Sequence, residues 1–168
     1  MLRQVQMLAG AVMASLLMIG VALVVAFPED ERFDAPPLWL VGAQVAAAVV
    51  VHLLVESIGY RTAAIHPETG EAESAVEATR AFTAGTLLRV AMCESIALAS
   101  IVAAFLVDSG GYLGFLTGAA ISLALMAVHA WPGSGPIDKT VISLEREGGR
   151  SYLRERLGLG TVGPVQEF

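Results

Sequence analysis

Apolar positions in this chain run on without the alternation of a strand or the narrow stripe of a soluble helix. Four stretches, Met7–Phe27, Leu38–Gly59, Thr86–Val107 and Tyr112–Trp131, each come to the ~20 residues an α-helix needs to cross a ~30 Å hydrocarbon layer. The pattern predicts an all-α fold: a four-transmembrane-helix antiparallel bundle over residues 1–131, followed by a polar tail over residues 132–168. Pro28, Pro36 and Pro37 stop the first helix and start the second, and the connection from Tyr60 to about Arg80 is polar and acidic. The short turn Asp108-Ser109-Gly110-Gly111 makes the third and fourth spans antiparallel neighbours.

Met1-Leu2-Arg3 and Val24-Val25-Ala26 loosely fit the ends of a signal peptide. The apolar run between them is longer than the ~7–15 residues of a signal core, so it is read as a retained span. Ser74-Ala75-Val76-Glu77 fits a capping box, which would start the third helix near Ala75 and carry it to Val107. That helix would be roughly 50 Å long, with its first turns in the cytoplasm. Between Ile137 and Leu157 charges alternate with a few apolar residues. One or two short surface helices broken at Gly148-Gly149 fit this pattern, but the simpler expectation is a mostly solvated tail with a few apolar anchors.

Orientation follows from lysine and arginine. With the N-terminus inside, the inner segments hold Arg3, Arg61, Arg80, Lys139, Arg146, Arg150, Arg154 and Arg156, and the outer loops hold Arg32 alone. Eight against one places both termini in the cytoplasm of a multi-pass plasma-membrane protein. At 55 % hydrophobic and 15 % charged residues, the composition departs from that of a soluble domain. The net charge of −6 lacks the basic footprint of a nucleic-acid binder. The single cysteine, Cys93, reads as a small apolar packing residue.

Candidate chemistry lies in the polar residues inside the spans. Helical rise puts His52 about 21 Å and Glu94 about 20 Å from the outer ends of their spans, with Glu56, Arg89 and His129 near 26–27 Å. These five titratable groups form one inner-leaflet layer. His52 and Glu56 share a helix face, whereas Arg89 and Glu94 point about 140° apart. The register therefore suggests the pairs His52–Glu94 and Glu56–Arg89. Each residue also has a structural reading. Arg89 and Glu56 would snorkel to headgroups, His129 would sit at the interface beside Trp131, and His52 would make an interhelical hydrogen bond. For Glu94 two readings stay open: a structural carboxylate paired in the bundle, and an ion-handling group whose burial raises its pKa. Without an HxxxH or HxxE cluster a metal site is not expected, and no cofactor is implied. The acidic outer loop (Glu29, Asp30, Glu31, Asp34) reads as a solvated turn. Nucleophile elbows, phosphate loops and zinc-protease motifs are missing, so no enzyme is expected.

The segment Leu87-Leu88-Arg89-Val90-Ala91-Met92-Cys93-Glu94-Ser95-Ile96-Ala97-Leu98, with His66-Pro67-Glu68 before it, resembles the carboxylate-bearing second helix and polar loop of the proteolipid (c) subunit of rotary ATP synthases. The resemblance implies that Glu94 matches the ion-binding carboxylate. It is confined to the third span and its preceding loop, and Val41–Val55 lacks that subunit's glycine ladder. The whole chain resembles uncharacterised small four-span bacterial integral membrane proteins, with Arg89 and Glu94 in the third span and Pro132, Pro136 and Ile142-Ser143-Leu144-Glu145 in the tail. That likeness implies a fold and a bacterial plasma membrane, and no activity.

Small residues recur at four-residue spacing: Gly10 with Ala14, Gly42 with Ala46, Ala43 with Ala47, and Gly114 with Gly118. Such faces suit close helix packing in lipid. The expected function is that of a non-catalytic structural or accessory component, packing as a homo-oligomer or within a larger membrane complex. The alternative is proton or cation handling through Glu94.

Overall fold

A computed structural model describes residues 2–29 and 32–160, so Asp30 and Glu31 of the acidic loop and the end of the tail lie outside the described residues. The elements are α1 (Leu2–Ala26), α2 (Leu38–Leu54) running into a π-helical turn (Val55–Gly59), α3 (Glu71–Ala104), α4 (Gly111–His129), α5 (Ser134–Glu145) and α6 (Leu153–Arg156). No strand occurs among the described residues. Four helices are long and apolar enough to cross a membrane: Leu2–Ala26, Leu38–Gly59, Glu71–Ala104 and Gly111–His129. They expose large apolar side chains such as Met18, Val21, Val25, Val49, Val50, Leu53, Leu98 and Val102, a surface suited to hydrocarbon and not to water.

The third helix departs from its expected ends. It starts at Glu71 on Gly70, whose backbone is extended (φ −62°, ψ 151°), and stops at Ala104 instead of Val107. Ser74 does not cap; its hydroxyl donates to Thr69 O at 3.3 Å, inside the first turn. Glu71 and Glu73 instead lie in the first turn, at the positive end of the helix dipole.

α3 and α4 share the most extensive interface, and α2 packs on both. Two glycines make this approach possible. Gly110, at φ 68°, turns the chain into α4, and a Cβ there would lie 2.4 Å from Ala35 O. A Cβ on Gly118 would lie 1.9 Å from Ser100 Oγ, so α4 closes on α3 at that point only without a side chain. The Gly114–Gly118 pair is thus consumed inside the chain, whereas Gly10 and Gly42 have nothing within 4 Å of their Cβ positions. The bundle core gathers Leu16, Val51, Val55, Cys93, Ile96, Phe115, Ala119 and Met126.

The solvated-tail expectation is corrected here. Ile137, Leu144 and Leu153 are fully buried and join Val5, Ile65, Ala78 and Phe82 in a second core. Ile137, Thr140 and Leu144 fall on one face of α5, and that face seats on the first turns of α3. The loop after α2 is strapped in by Ile65 N donating to Leu144 O (2.8 Å) and Thr62 N donating to Ser143 Oγ (3.0 Å). An Arg154–Asp138 ion pair ties α6 to α5.

Candidate functional site

The polar residues of the spans gather where the C-terminal ends of α2 and α4 meet the middle of α3 and the side of α5. Two arrangements meet at His129 and Tyr60.

The first is centred on Arg89. It is 1 % exposed, so its guanidinium does not snorkel. Its Nε donates to His129 O (2.8 Å), Nη1 to Gly59 O (2.9 Å) and Nη2 to Thr86 Oγ1 (2.9 Å), while its cationic carbon lies 4.6 Å from the Tyr60 ring centroid. His129 closes α4 and Gly59 closes the π-helical turn, so both carbonyls belong to helix C-termini with unsatisfied acceptors and negative dipole ends. The buried cation is held by two helix ends and an aromatic face in place of a carboxylate. Space for it is made by glycine: a Cβ on Gly59 would press on Arg89 Cγ at 3.1 Å, and one on Gly85 on Nη1 at 3.2 Å. The expected Glu56–Arg89 pair is therefore replaced. Depth was consistent with it, but Arg89 turns into the bundle and Glu56 turns out.

The second arrangement is a chain of side chains from α2, α4 and α5. His52 Nδ1 and His129 Nε2 share a hydrogen bond of 2.9 Å. On its other side, His129 Nδ1 lies 3.1 Å from Tyr60 Oη and 3.6 Å from Glu56 Oε1. Glu56 is paired with Lys139, whose Nζ donates to both carboxylate oxygens. Burial pushes the Tyr60 phenol up to about 12 against the opposing pull of the Arg89 charge, so the hydroxyl keeps its proton. His52, Glu56 and His129 each offer a ligand atom, and these atoms lie within 4.8 Å of one another. His52 and Glu56 are exposed and His129 is buried.

Four of the five expected residues thus meet at this end of the bundle, and Glu94 does not join them. It is half-buried on the rim of α3, between the packed Val90 and Ala97, and among the described residues it makes no hydrogen bond and no ion pair. The expected His52–Glu94 pair fails on helix rotation: Cys93 occupies the inward direction, and Glu94 is turned about 100° from it. His129 takes the place beside His52.

Three participants were not anticipated. Tyr60 continues the spacing of His52 and Glu56 by another four residues, a signal present in the sequence. Lys139 is the chain's only lysine, and nothing local indicates that α5 folds back to Glu56. Gln44 is buried toward the opposite end of the bundle, near the start of α2, its Nε2 donating to Ser100 Oγ (2.9 Å) and Gly114 O (2.8 Å), and so ties α2 to both α3 and α4. Cys93 is buried among apolar neighbours. No protein-family model, no curated protein and no solved structure matches the chain.

Proposed function

We propose that this is a non-catalytic accessory protein of a bacterial plasma membrane, an antiparallel four-span bundle with both termini cytoplasmic. It packs with a second copy or with a larger membrane complex through the α3 face that carries Glu94. The observation that carries this reading is Glu94 itself. An unpaired carboxylate within a span costs about 2.5–3.5 kcal/mol unless protein or water receives it, and this one has no partner among the described residues of its own chain. Beside it Ala91, Ser95 and Ala99 are exposed and small, leaving room for another helix. The unused small-residue face of α2, Gly42 and Ala46, supports the same reading. The excess of basic residues around the second core supports the inward orientation.

The test is the mass and composition of the protein extracted natively in mild detergent. A stoichiometric partner or a defined homo-oligomer, weakened by Glu94→Leu, is expected, and a monomer without company would overturn the proposal. Proton or cation handling through Glu94 is the second reading, favoured by the same half-buried, unpaired carboxylate. Glu94→Gln separates the two: transport lost from vesicles with assembly intact supports ion handling, whereas no change in either assay removes it.

A further inference from the structure

We infer that His52, Glu56 and His129 form a binding site for one divalent transition-metal ion of the zinc class, at the end of α2 and α4. Two imidazole nitrogens, His52 Nδ1 and His129 Nε2, face each other at 2.9 Å. A tetrahedral zinc with bonds of 2.0–2.1 Å holds two nitrogen ligands about 3.3 Å apart, so a small opening of the rings exchanges the shared proton for a metal. Glu56 completes the group, one ligand atom from each residue lying within 4.8 Å of the others; its carboxylate rests on the Nδ1 side of His129 at 3.6 Å and swings to the metal when Lys139 releases it. Two imidazoles and a carboxylate, without thiolate, suit zinc and its first-row neighbours, and water completes the fourth position. The ion has a way in at the end of the spans, where exposed Glu56 meets exposed Lys139 of α5.

Two features distinguish this group from a chance polar contact. A metal-bound histidine is usually oriented by an outer partner on its second nitrogen, and His129 has one. With the metal on Nε2, Nδ1–H donates to Tyr60 Oη at 3.1 Å, and the Tyr60 hydroxyl donates on to His129 O at 3.4 Å. The second feature is the π-helical turn Val55–Gly59, which carries Glu56 and begins three residues after His52. Such turns are rare and concentrate at functional sites.

Two cations oppose the metal. Arg89 is committed to the helix ends and stays. Lys139 is exposed, its ammonium paired with the Glu56 carboxylate and 4.8 Å from the Tyr60 ring centroid, so it is the group that yields. Metal binding and the α5 contact with α2 therefore compete for Glu56.

The test uses the full chain in mild detergent, stripped with a chelator and titrated with Zn²⁺, and with Co²⁺ as a spectroscopic probe. One zinc per chain is expected, with the visible d–d absorption of a four-coordinate Co²⁺. His52→Ala abolishes that spectrum, and its helix content by circular dichroism, equal to the parent's, shows that the metal-free variant is folded. Tyr60→Phe weakens binding roughly tenfold. Lys139→Gln tightens it roughly two- to fivefold, the strength of an exposed ion pair. Metal retained by His52→Ala, or affinity unaltered in Lys139→Gln, would overturn the site; adventitious binding elsewhere, for example at exposed His66, gives that result.

Discussion

Replacing Arg89 by methionine tests whether the guanidinium is the joint between three helices. The substitution keeps the unbranched apolar stem of the side chain and removes every donor. It leaves Gly59 O and His129 O buried beneath the loop and tail without their cationic donor. Gly59 O is stranded at about 1–3 kcal/mol, while His129 O keeps the long 3.4 Å bond from the Tyr60 hydroxyl, and each hydrogen bond lost from the charged donor is worth about 1.5–3 kcal/mol. Against this stands the relief of guanidinium desolvation, which offsets several kcal/mol. The balance is a net loss of about 2–4 kcal/mol, which lowers the melting temperature of a chain this size by roughly 5–15 °C. Arg89→Lys restores the charge, but an ammonium lacks the planar fork that reaches His129 O, Gly59 O and Thr86 Oγ1 together, so it recovers only part of the loss. The assay is thermal unfolding of the purified protein in mild detergent. A methionine variant that melts with the parent, or a lysine variant that restores it fully, would refute the joint.

Three further outcomes follow from the packing. Gly118→Ala drives a methyl into Ser100 and costs about 1–3 kcal/mol, whereas Gly42→Ala, with open space around it, leaves the melting point unchanged. Leu153→Ala empties the second core, costs about 2–5 kcal/mol, and releases α5 and α6, read as faster proteolysis at the Gly148-Gly149 turn. Gln44→Leu is nearly silent in the same melting assay. It loses two hydrogen bonds of the kind worth about 0.6 kcal/mol in membranes, and also removes the buried Oε1, which has no partner.

The four spans were legible because hydrophobic length is a one-dimensional property, and each expected stretch overlaps a helix to within a few residues except at the start of α3. There the third helix begins 15 residues before the apolar stretch, four before the capping-box start at Ala75, and this extension is stabilised by a tail whose docking no local pattern announces. Rise per residue is fixed, so depth along the spans put His52, Glu56, Arg89, His129 and Glu94 in one layer; the first four meet and Glu94 does not. Rotation was not legible. A carboxylate at position 94 and a thiol at position 93 have the same depth, and only the packing of α4 decides that Cys93 faces inward. The partner of Arg89 was hidden for a different reason: sequence reading pairs charge with charge, and here two backbone carbonyls at helix ends take the role of the anion. The second core was missed because Ile137, Thr140 and Leu144 make too short an apolar face to stand out beside spans of about 20 apolar residues.

The claim on which all of this rests is a four-span bundle with its polar joint and docked tail on the inner side. Cys93 is the sole cysteine and is buried, so single reporters in a Cys93→Ala background read topology directly. Phe33→Cys probes the loop between α1 and α2, and Glu147→Cys the turn after α5. A membrane-impermeant maleimide added to intact cells is expected to label position 33 and spare position 147, with the reverse in inverted vesicles. Labelling of position 147 from outside, or of both positions from one side, would contradict the account.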